Sequence, residues 1–279
     1  MANIGGTITL NKKQSQKVVL LPFVSLKKLF KSFAAIFVLL AVWEIAPRLG
    51  FVDRTFLPPF SEVVQAWWQL LLSGELFSHF KASLFRSLTG FVISLLLAIP
   101  LGLLVGWYKP LSEILTPLLE IFRNTAALAL LPVFVLILGI GETSKIAIII
   151  YACSWPILLN TISGVKHVDP LLIKSAKSMG LSPVRLFQKV ILPASVPTIF
   201  TGIRLAGASS ILVLVAAEMV GAKAGLGYLI NYAQYNFQVS NMYAGIITIS
   251  ALGLLFNWTL VKLEGHLQLG KLHKENKIY

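Results

Sequence analysis

The chain has 279 residues, of which 56% are hydrophobic and only 13% are charged, and its mean hydropathy is +0.80. Soluble domains carry about a quarter of charged residues, so this composition excludes one water-soluble globule and makes lipid the solvent for much of the surface. The formal net charge of +13 admits either a nucleic-acid partner or basic loops beside a membrane, and the distribution of Lys and Arg decides between the two.

Six apolar segments are each long enough to cross about 30 Å of hydrocarbon at about 1.5 Å per residue. They predict an all-α integral membrane fold with about six transmembrane helices, near residues 32–49, 84–107, 111–138, 144–163, 197–220 and 242–263. Between the first two spans, residues 60–81 place apolar side chains, Trp67 and Trp68 among them, at helical spacing. This pattern predicts an amphipathic helix on the external membrane surface.

Lys and Arg are distributed unevenly over the predicted loops. With the N-terminus inside, 16 of the 24 fall in cytoplasmic segments and 6 in external ones. This bias predicts that both termini are cytoplasmic, and it accounts for the net charge without nucleic acid. We therefore expect a basic cytoplasmic segment at 1–31, a transmembrane domain at 32–265 and a cytoplasmic tail at 266–279.

The longest polar loop between spans, about 164–196, predicts a short helix that ends at a glycine. Asp169 stands where a helix N-cap is expected and Pro170 at the first helical position. Gly180 then supplies the residue that most readily adopts the left-handed conformation after a helix.

A second short helix is predicted to follow the glycine, because Ser182 and Pro183 repeat the start signal. Pro193 and Pro197 are expected to break the chain before the fifth span. The resulting L-shaped unit would suit a rigid lever docked on a soluble partner. Spacing alone leaves open the alternative of an ordinary basic connector.

Part of this loop falls into a fixed pattern: a small pair, a glycine four residues after it, and a final Leu-Pro. The residues that carry it are Ser175, Ala176, Gly180, Val190, Leu192 and Pro193. The pattern resembles the cytoplasmic signature of binding-protein-dependent ABC importer permeases, which reads Glu-Ala-Ala, three residues, Gly, nine residues, Ile-x-Leu-Pro. The chain departs from it at Lys174, where the family has Glu.

Three further segments, 130–145, 191–206 and 225–230, resemble in the same order the sulfonate, nitrate and taurine group of these permeases. The resemblance covers about residues 33–265. It implies that the loop at 164–196 is the coupling-helix loop, which contacts an ATPase. The residues that it assigns to this coupling are Asp169, Lys174, Ser175, Ala176, Gly180, Leu192 and Pro193.

The resemblance also implies the partners. These are a second copy of the chain, two ATP-binding cassette ATPase subunits, an external solute-binding protein and a small anionic substrate of the alkanesulfonate, taurine, nitrate or bicarbonate class. The assembly is expected in a bacterial inner membrane, in contact with lipid. The chain itself is expected to hold no catalytic residue, cofactor or metal, since ATP and magnesium would bind the ATPase. A secondary transporter driven by an ion gradient is the alternative.

Arg123 is the deepest cation within a predicted span, with Asn124 and Thr125 beside it. A charge at such depth is usually functional or paired. We therefore consider these three residues as an anion contact in the substrate pathway, with a structural pair between Arg123 and Glu120 as the alternative. In the group that the chain resembles, this basic residue usually precedes a proline-rich turn, which is missing here.

Glu218 lies near the external end of the predicted fifth span. It is the second candidate for the pathway or its gate. The alternatives are a pair with a neighbouring lysine or a contact at a helix end.

Overall fold

The computed structural model describes residues 26–275, with side chains described for residues 34–265. Every regular element within 26–275 is helical, as the sequence predicts. Most of the predicted segment 1–31 and the end of the predicted tail 266–279 lie outside the described residues. A 3₁₀ turn at Ala127–Leu130 and a π-helical turn at Phe187–Ile191 accompany the α-helices, which are α1 (Leu26–Arg48), α2 (Phe60–Leu72), α3 (Glu75–Trp107), α4 (Lys109–Arg123), α5 (Leu131–Leu138), α6 (Glu142–Lys166), α7 (Pro170–Ser178), α8 (Pro183–Leu186), α9 (Leu192–Met219), α10 (Leu226–Tyr235) and α11 (Val239–Glu275).

Four helices in the described part of the chain are long and apolar enough to cross a membrane, and a bent pair can supply a fifth crossing. The four correspond to the predicted second, fourth, fifth and sixth spans, at Glu75–Trp107, Glu142–Lys166, Pro183–Met219 and Val239–Gly265. The first predicted span falls on α1, of which only the side chains from residue 34 onward are described. The all-α membrane fold is thus confirmed.

The third predicted span is not one continuous helix. α4 and the segment Ala127–Leu138 meet at an angle of 82°. At the break, the Asn124 amide donates to the Glu120 carbonyl at 2.8 Å, and the Thr125 hydroxyl donates to the Ile121 carbonyl at 3.1 Å. The predicted third span at 111–138 therefore corresponds to a bent pair of helices that can supply one crossing, and not to one straight helix.

The chain does not break at Pro193 or Pro197, and that prediction is also wrong. One helical run extends from Pro183 to Met219 and contains the π-helical turn just before α9. A proline ring clashes with the carbonyl four residues earlier in a regular α-helix. For Pro193 that carbonyl belongs to the wider π-helical turn, which lets the helix continue.

The amphipathic helix predicted at 60–81 is shorter than expected. α2 ends at Leu72, and Gly74, with φ of 77°, turns the chain into α3. Residues 75–81 therefore belong to the second span. α2 packs on α11, where the Trp67 indole donates to the Thr248 hydroxyl at 3.1 Å, and it contacts α1 through Glu44, whose carboxylate accepts from the backbone and hydroxyl of Ser61.

α3, α6 and α9 form the centre of the bundle and approach each other closely. A Cβ atom at Gly90 or Gly102 of α3 would lie 2.6 Å from side-chain atoms of α6, and one at Gly202 of α9 would lie 2.6 Å from the Pro156 carbonyl oxygen of α6. Close packing of this kind is typical of small residues between membrane helices.

The bundle has two ends, which we name by a residue at each. At the Gly180 end, Trp107 at the end of α3 meets Phe187, which precedes α9. At the Arg86 end, the first half of α3 meets the start of α6 and the end of α9 through Arg86, Glu142 and Glu218. α9 thus runs antiparallel to α3 and α6.

Candidate functional site

The loop at the Gly180 end forms the predicted helix, elbow and second helix. The Asp169 carboxylate accepts a hydrogen bond from the Leu171 amide at 2.8 Å, which confirms the N-cap. Gly180 has φ of 75°, its amide donates to the Lys177 carbonyl at 2.9 Å, and the next amide, of Leu181, donates to the Ala176 carbonyl at 3.2 Å. These two bonds define a Schellman motif, so the elbow is a hydrogen-bonded turn.

This unit is anchored to the spans by its own small hydrophobic core. Ala176 of α7 and Leu186 of α8 are buried together with Val165 of α6. Trp107 of α3 and Phe187 add an edge-to-face contact with ring centroids 5.3 Å apart. Because packed interiors transmit displacement with little compression, a push on α7 or α8 reaches the ends of α3, α6 and α9.

The outer surface of the unit keeps large apolar side chains exposed. Leu171, Met179 and Val184 are 68%, 79% and 65% exposed. Ala176 is buried on the inner side of the unit, whereas these larger apolar side chains are exposed. Lys174 and Ser175 are exposed beside them, and Leu192 and Pro193 are half-buried at the start of α9.

Arg123 is the last residue of α4, at the bend of the broken span. Its Nε lies 3.4 Å from the Glu120 Oε2, and both side chains are about half exposed within the described chain. The predicted alternative, a pair with Glu120, is therefore formed. Asn124 and Thr125 direct their donors to backbone carbonyls, so they cap α4 here rather than extend a cationic site.

An aromatic contact fastens this bend to α6. Phe122 stacks on Trp155 with ring centroids 6.0 Å apart and an angle of 7° between the rings. The Tyr151 hydroxyl donates to the Phe122 carbonyl at 2.9 Å. Among the described side chains, the Trp155 Nε1 is the one buried nitrogen or oxygen atom without a hydrogen-bond partner.

The Arg86 end contains a buried ionic network that the sequence interpretation missed. Arg86 is 3% exposed and binds Glu142 in a bidentate fashion, with Nε to Oε2 at 2.5 Å and Nη2 to Oε1 at 2.6 Å. Its Nη1 donates to the Glu218 carboxylate at 2.7 Å and to the Ala224 carbonyl at 2.6 Å. One guanidinium therefore joins α3, α6, α9 and the segment before α10.

Glu218 has no exposed surface and holds the start of α10. Its carboxylate accepts hydrogen bonds from the Ser83 hydroxyl and from the Gly227 amide, each at 2.8 Å. A Cβ atom at Gly225 would lie 2.4 Å from this carboxyl group, so the segment needs glycine there. The expected lysine partner is wrong, since the partner is Arg86, whereas the expected helix-end contact is present.

Lys145 completes the charges of this network. It is 3% exposed, and its Nζ donates to the Gly141 carbonyl at 3.0 Å and to the Gly221 carbonyl at 3.5 Å. The adjoining His79 accepts at Nδ1 from the Gly225 amide at 3.1 Å, which makes that nitrogen the unprotonated one of the ring. All of these groups fix the segment between α9 and α10 against α3 and α6.

A family model described as the inner membrane component of binding-protein-dependent transport systems matches residues 98–267. The chain belongs to this family. It is 37% identical over 218 residues to the aliphatic sulfonates transport permease protein SsuC of Bacillus subtilis, covering 78% of this chain and 79% of that protein. It is 34% identical over 241 residues to the taurine transport system permease protein TauC of Escherichia coli, covering 85% and 88%.

Another relative is the nitrate import permease protein NrtB of Leptolyngbya laminosa, which is 33% identical over 232 residues, or 80% of this chain and 82% of that one. Among solved structures, an inward-facing MetNI methionine ABC transporter matches with a TM-score of 0.56 at 20% identity, covering 66% of this chain and 92% of that chain. An amino acid ABC transporter matches with a TM-score of 0.54 at 19% identity, covering 71% and 95%. These likenesses show the fold. The chain is thus a multi-pass membrane component of ABC type, and the secondary-transporter alternative is overturned.

Proposed function

We propose that this chain is the permease subunit of an ABC importer that takes up a small anion of the alkanesulfonate, taurine, nitrate or bicarbonate class. The anion class is supported by relatives named for aliphatic sulfonates, taurine and nitrate, which are 37%, 34% and 33% identical to the chain over the aligned residues. The observation that carries the coupling role is the helix–elbow–helix unit, which exposes Leu171 and Met179 outward while Ala176 anchors it to the spans.

The unit acts as the contact with the ATPase. Leu171, Met179 and Val184 provide apolar surface for a groove on that partner, and the exposed Lys174 and Ser175 lie at its edge. Closure of the ATPase pair would move α7 and α8, and the buried core beneath them would pass this movement to the spans. The chain has no catalytic role in this scheme, since ATP and magnesium bind the ATPase subunits.

The assembly contains two copies of this chain, two ATPase subunits and an external solute-binding protein. The Gly180 end and both termini face the cytoplasm, and the Arg86 end and α2 face outward. This orientation is supported by the excess of Lys and Arg in the segments at the Gly180 end. The anion passes along the bent span near Arg123, with Asn124 and Thr125 at the bend and Glu218 at the external gate.

The proposed function is tested by reconstituting the permease with its ATPase and binding protein in lipid vesicles. We expect uptake of methanesulfonate, taurine or nitrate that requires ATP and is unaffected when the ion gradients are collapsed. A permease that binds no ATPase, or uptake that follows an ion gradient without ATP, would contradict the proposal.

A further inference from the structure

The two carboxylates that bind Arg86 differ in their freedom to leave it. Glu218 is fully buried and also accepts hydrogen bonds from Ser83 and Gly227. Glu142 is 57% exposed at its side chain, and within the described structure its carboxylate accepts hydrogen bonds from Arg86 alone. Rotation of the Glu142 side chain into solvent would therefore break two hydrogen bonds and no others.

The charges of the network balance only while a negative group, either the Glu142 carboxylate or another anion, lies against Arg86. Arg86 and Lys145 carry two positive charges, and Glu142 and Glu218 carry two negative ones. With Glu142 turned away, one net positive charge remains in a site where the two cations are each 3% exposed. An uncompensated buried charge is strongly unfavourable, so a monovalent anion is needed to replace the one that left.

The vacated place has the geometry for a particular kind of anion. Arg86 offers Nε and Nη2 side by side, the two donors that now hold the two Glu142 oxygens. Such a fork binds groups that present two oxygens at carboxylate-like spacing. The site also lies at the first turn of α6, a 25-residue helix whose N-terminus favours negative charge. Nitrate, sulfonate and bicarbonate meet this requirement, whereas a chloride ion offers both donors one shared acceptor atom and matches the fork less well.

The geometry points to an exchangeable oxyanion-binding site on Arg86. In the structure the Glu142 carboxylate occupies this site, and a free oxyanion can replace it. This inference rests on the proposed function, because it assigns the transported anion a receiving site at the external end of the permease. Binding of the solute releases Glu142 while Glu218 stays on Arg86, so the network keeps its hold on the segment before α10. The exchange admits an oxyanion without ever leaving the buried guanidinium unpaired.

The test uses the purified complex of permease and ATPase in detergent, with methanesulfonate as the probe. The Glu142→Gln variant removes the competing charge while keeping the size of the side chain. In the wild-type protein the tethered Glu142 carboxylate competes with the anion at an effective concentration in the millimolar range. Added methanesulfonate should raise the thermal unfolding midpoint of the complex. The concentration that gives half of this rise should be about tenfold lower, or lower still, in Glu142→Gln than in wild type. Nitrate should act in the same way, and chloride should need a clearly higher concentration to give the same rise.

Glu75→Gln is the matched control, because it removes another half-exposed acid at the edge of the network, one that lies 3.6 Å from the His79 Nε2 and does not bind Arg86. It should respond to methanesulfonate as wild type does. If Glu142→Gln does not assemble, Glu142→Asp is used in its place, since a shorter acid keeps the charge but holds Arg86 less well, and it should shift the half-effect concentration in the same direction.

A response of the Glu142 variants that equals that of wild type and Glu75→Gln would overturn the exchange site. An equal response to chloride would overturn it as well. ATP-driven uptake by the wild-type complex is measured in parallel. If uptake persists but the Glu142 variants respond to the anion no differently from wild type, the exchange site is ruled out and the proposed function stands. If the anion binds as expected but there is no ATP-driven uptake, the proposed function is ruled out and the site stands.

Discussion

The ring of Phe122 lies flat on that of Trp155, with centroids 6.0 Å apart, so the last turn of α4 rests on α6 where the third span bends. The Trp155 Nε1 is enclosed there without a hydrogen-bond acceptor. An unsatisfied buried donor costs about 1–3 kcal/mol. The stack with Phe122, an aromatic pair of a kind that contributes about 0.5–1.5 kcal/mol, offsets part of that cost.

This relationship predicts opposite outcomes for two substitutions of Trp155. Trp155→Phe removes the unpaired N–H but keeps an aromatic ring against Phe122, so thermal stability of the complex should stay within about 1 kcal/mol of wild type or rise. Trp155→Ala removes the stacked ring and should cost about 3–5 kcal/mol, as large-to-small core changes do. Denaturation followed by circular dichroism measures both, and an equal loss in the two variants would contradict the prediction.

Gly180 should be required for coupling but not for insertion. Its φ of 75° is unfavourable for residues with a Cβ atom by about 1–2 kcal/mol, and a β-branched residue worsens the strain. Gly180→Val should lower ATP-driven uptake roughly tenfold, the equivalent of that strain, while the permease is still inserted. Gly265→Val is the control, since a Cβ atom there meets nothing within 4 Å. Full uptake by Gly180→Val would show that the loop is only a connector.

Local signals were sufficient to predict the first short helix of the loop and its glycine elbow. Asp169, Pro170 and Gly180 act through neighbouring backbone groups, and all three occupy the expected positions. Pro193 failed as a breaker because its effect depends on the carbonyl four residues earlier, which here lies in a π-helical turn. The sequence contains no recognisable signal that predicts this π-helical turn.

The network around Arg86 was missed because Arg86 and Lys145, which lie two and one residues after the starts of the predicted spans 84–107 and 144–163, were counted as external. α3 begins at Glu75 and α6 at Glu142, so Arg86 and Lys145, both assigned to external segments, lie inside helices. One signal was available: Ser83 and Ser87 flank Arg86 at helical spacing and form a polar stripe on an otherwise apolar helix. Its partners on α6 and α9, 56 and 132 residues away, could not be paired with it from one sequence.

The proposed orientation predicts which segments are accessible from each side. A cysteine placed at Lys177, in an otherwise cysteine-free protein, should react with an impermeant maleimide only after the membrane is opened. One placed at Gln65 of α2 should react in intact cells. The prediction follows from the uneven distribution of Lys and Arg. Labelling of position 177 in intact cells would show that the proposed orientation is inverted, and the proposed contact between this loop and the ATPase would then be excluded.

Glu218 should be far more sensitive to neutralisation than Glu142. Glu218→Gln leaves Arg86 with its exposed partner only and disturbs two further hydrogen bonds to Ser83 and Gly227. Breaking a buried ion pair on one side costs about 3–5 kcal/mol, so assembly of the complex should decline strongly. Glu142→Gln, on a side chain that is 57% exposed, should cost less, because an anion from solution can take the place of the lost carboxylate on Arg86. Size-exclusion yield and thermal midpoints compare the two, and equal losses would count against the ranking.

Arg123 can be assigned to the pathway or to structure by comparing single and double variants. Its pair with Glu120 is long, at 3.4 Å, and half exposed, and exposed pairs contribute only about 0–1 kcal/mol. Arg123→Ala should therefore leave the complex with the ATPase intact, and a pathway role requires that anion uptake is lost. Arg123→Lys should retain part of the uptake, since it keeps the charge but not the fork.

The control for Arg123 is the double variant with Glu120→Gln. If the arginine serves only to pair with Glu120, neutralising that acid should restore uptake, because no unpaired carboxylate then remains. If Arg123 contacts the solute, the double variant should stay as inactive as Arg123→Ala, and Glu120→Gln alone should transport normally. Uptake in vesicles and ATPase co-purification are measured on all four proteins, and restored uptake in the double variant would remove Arg123 from the pathway.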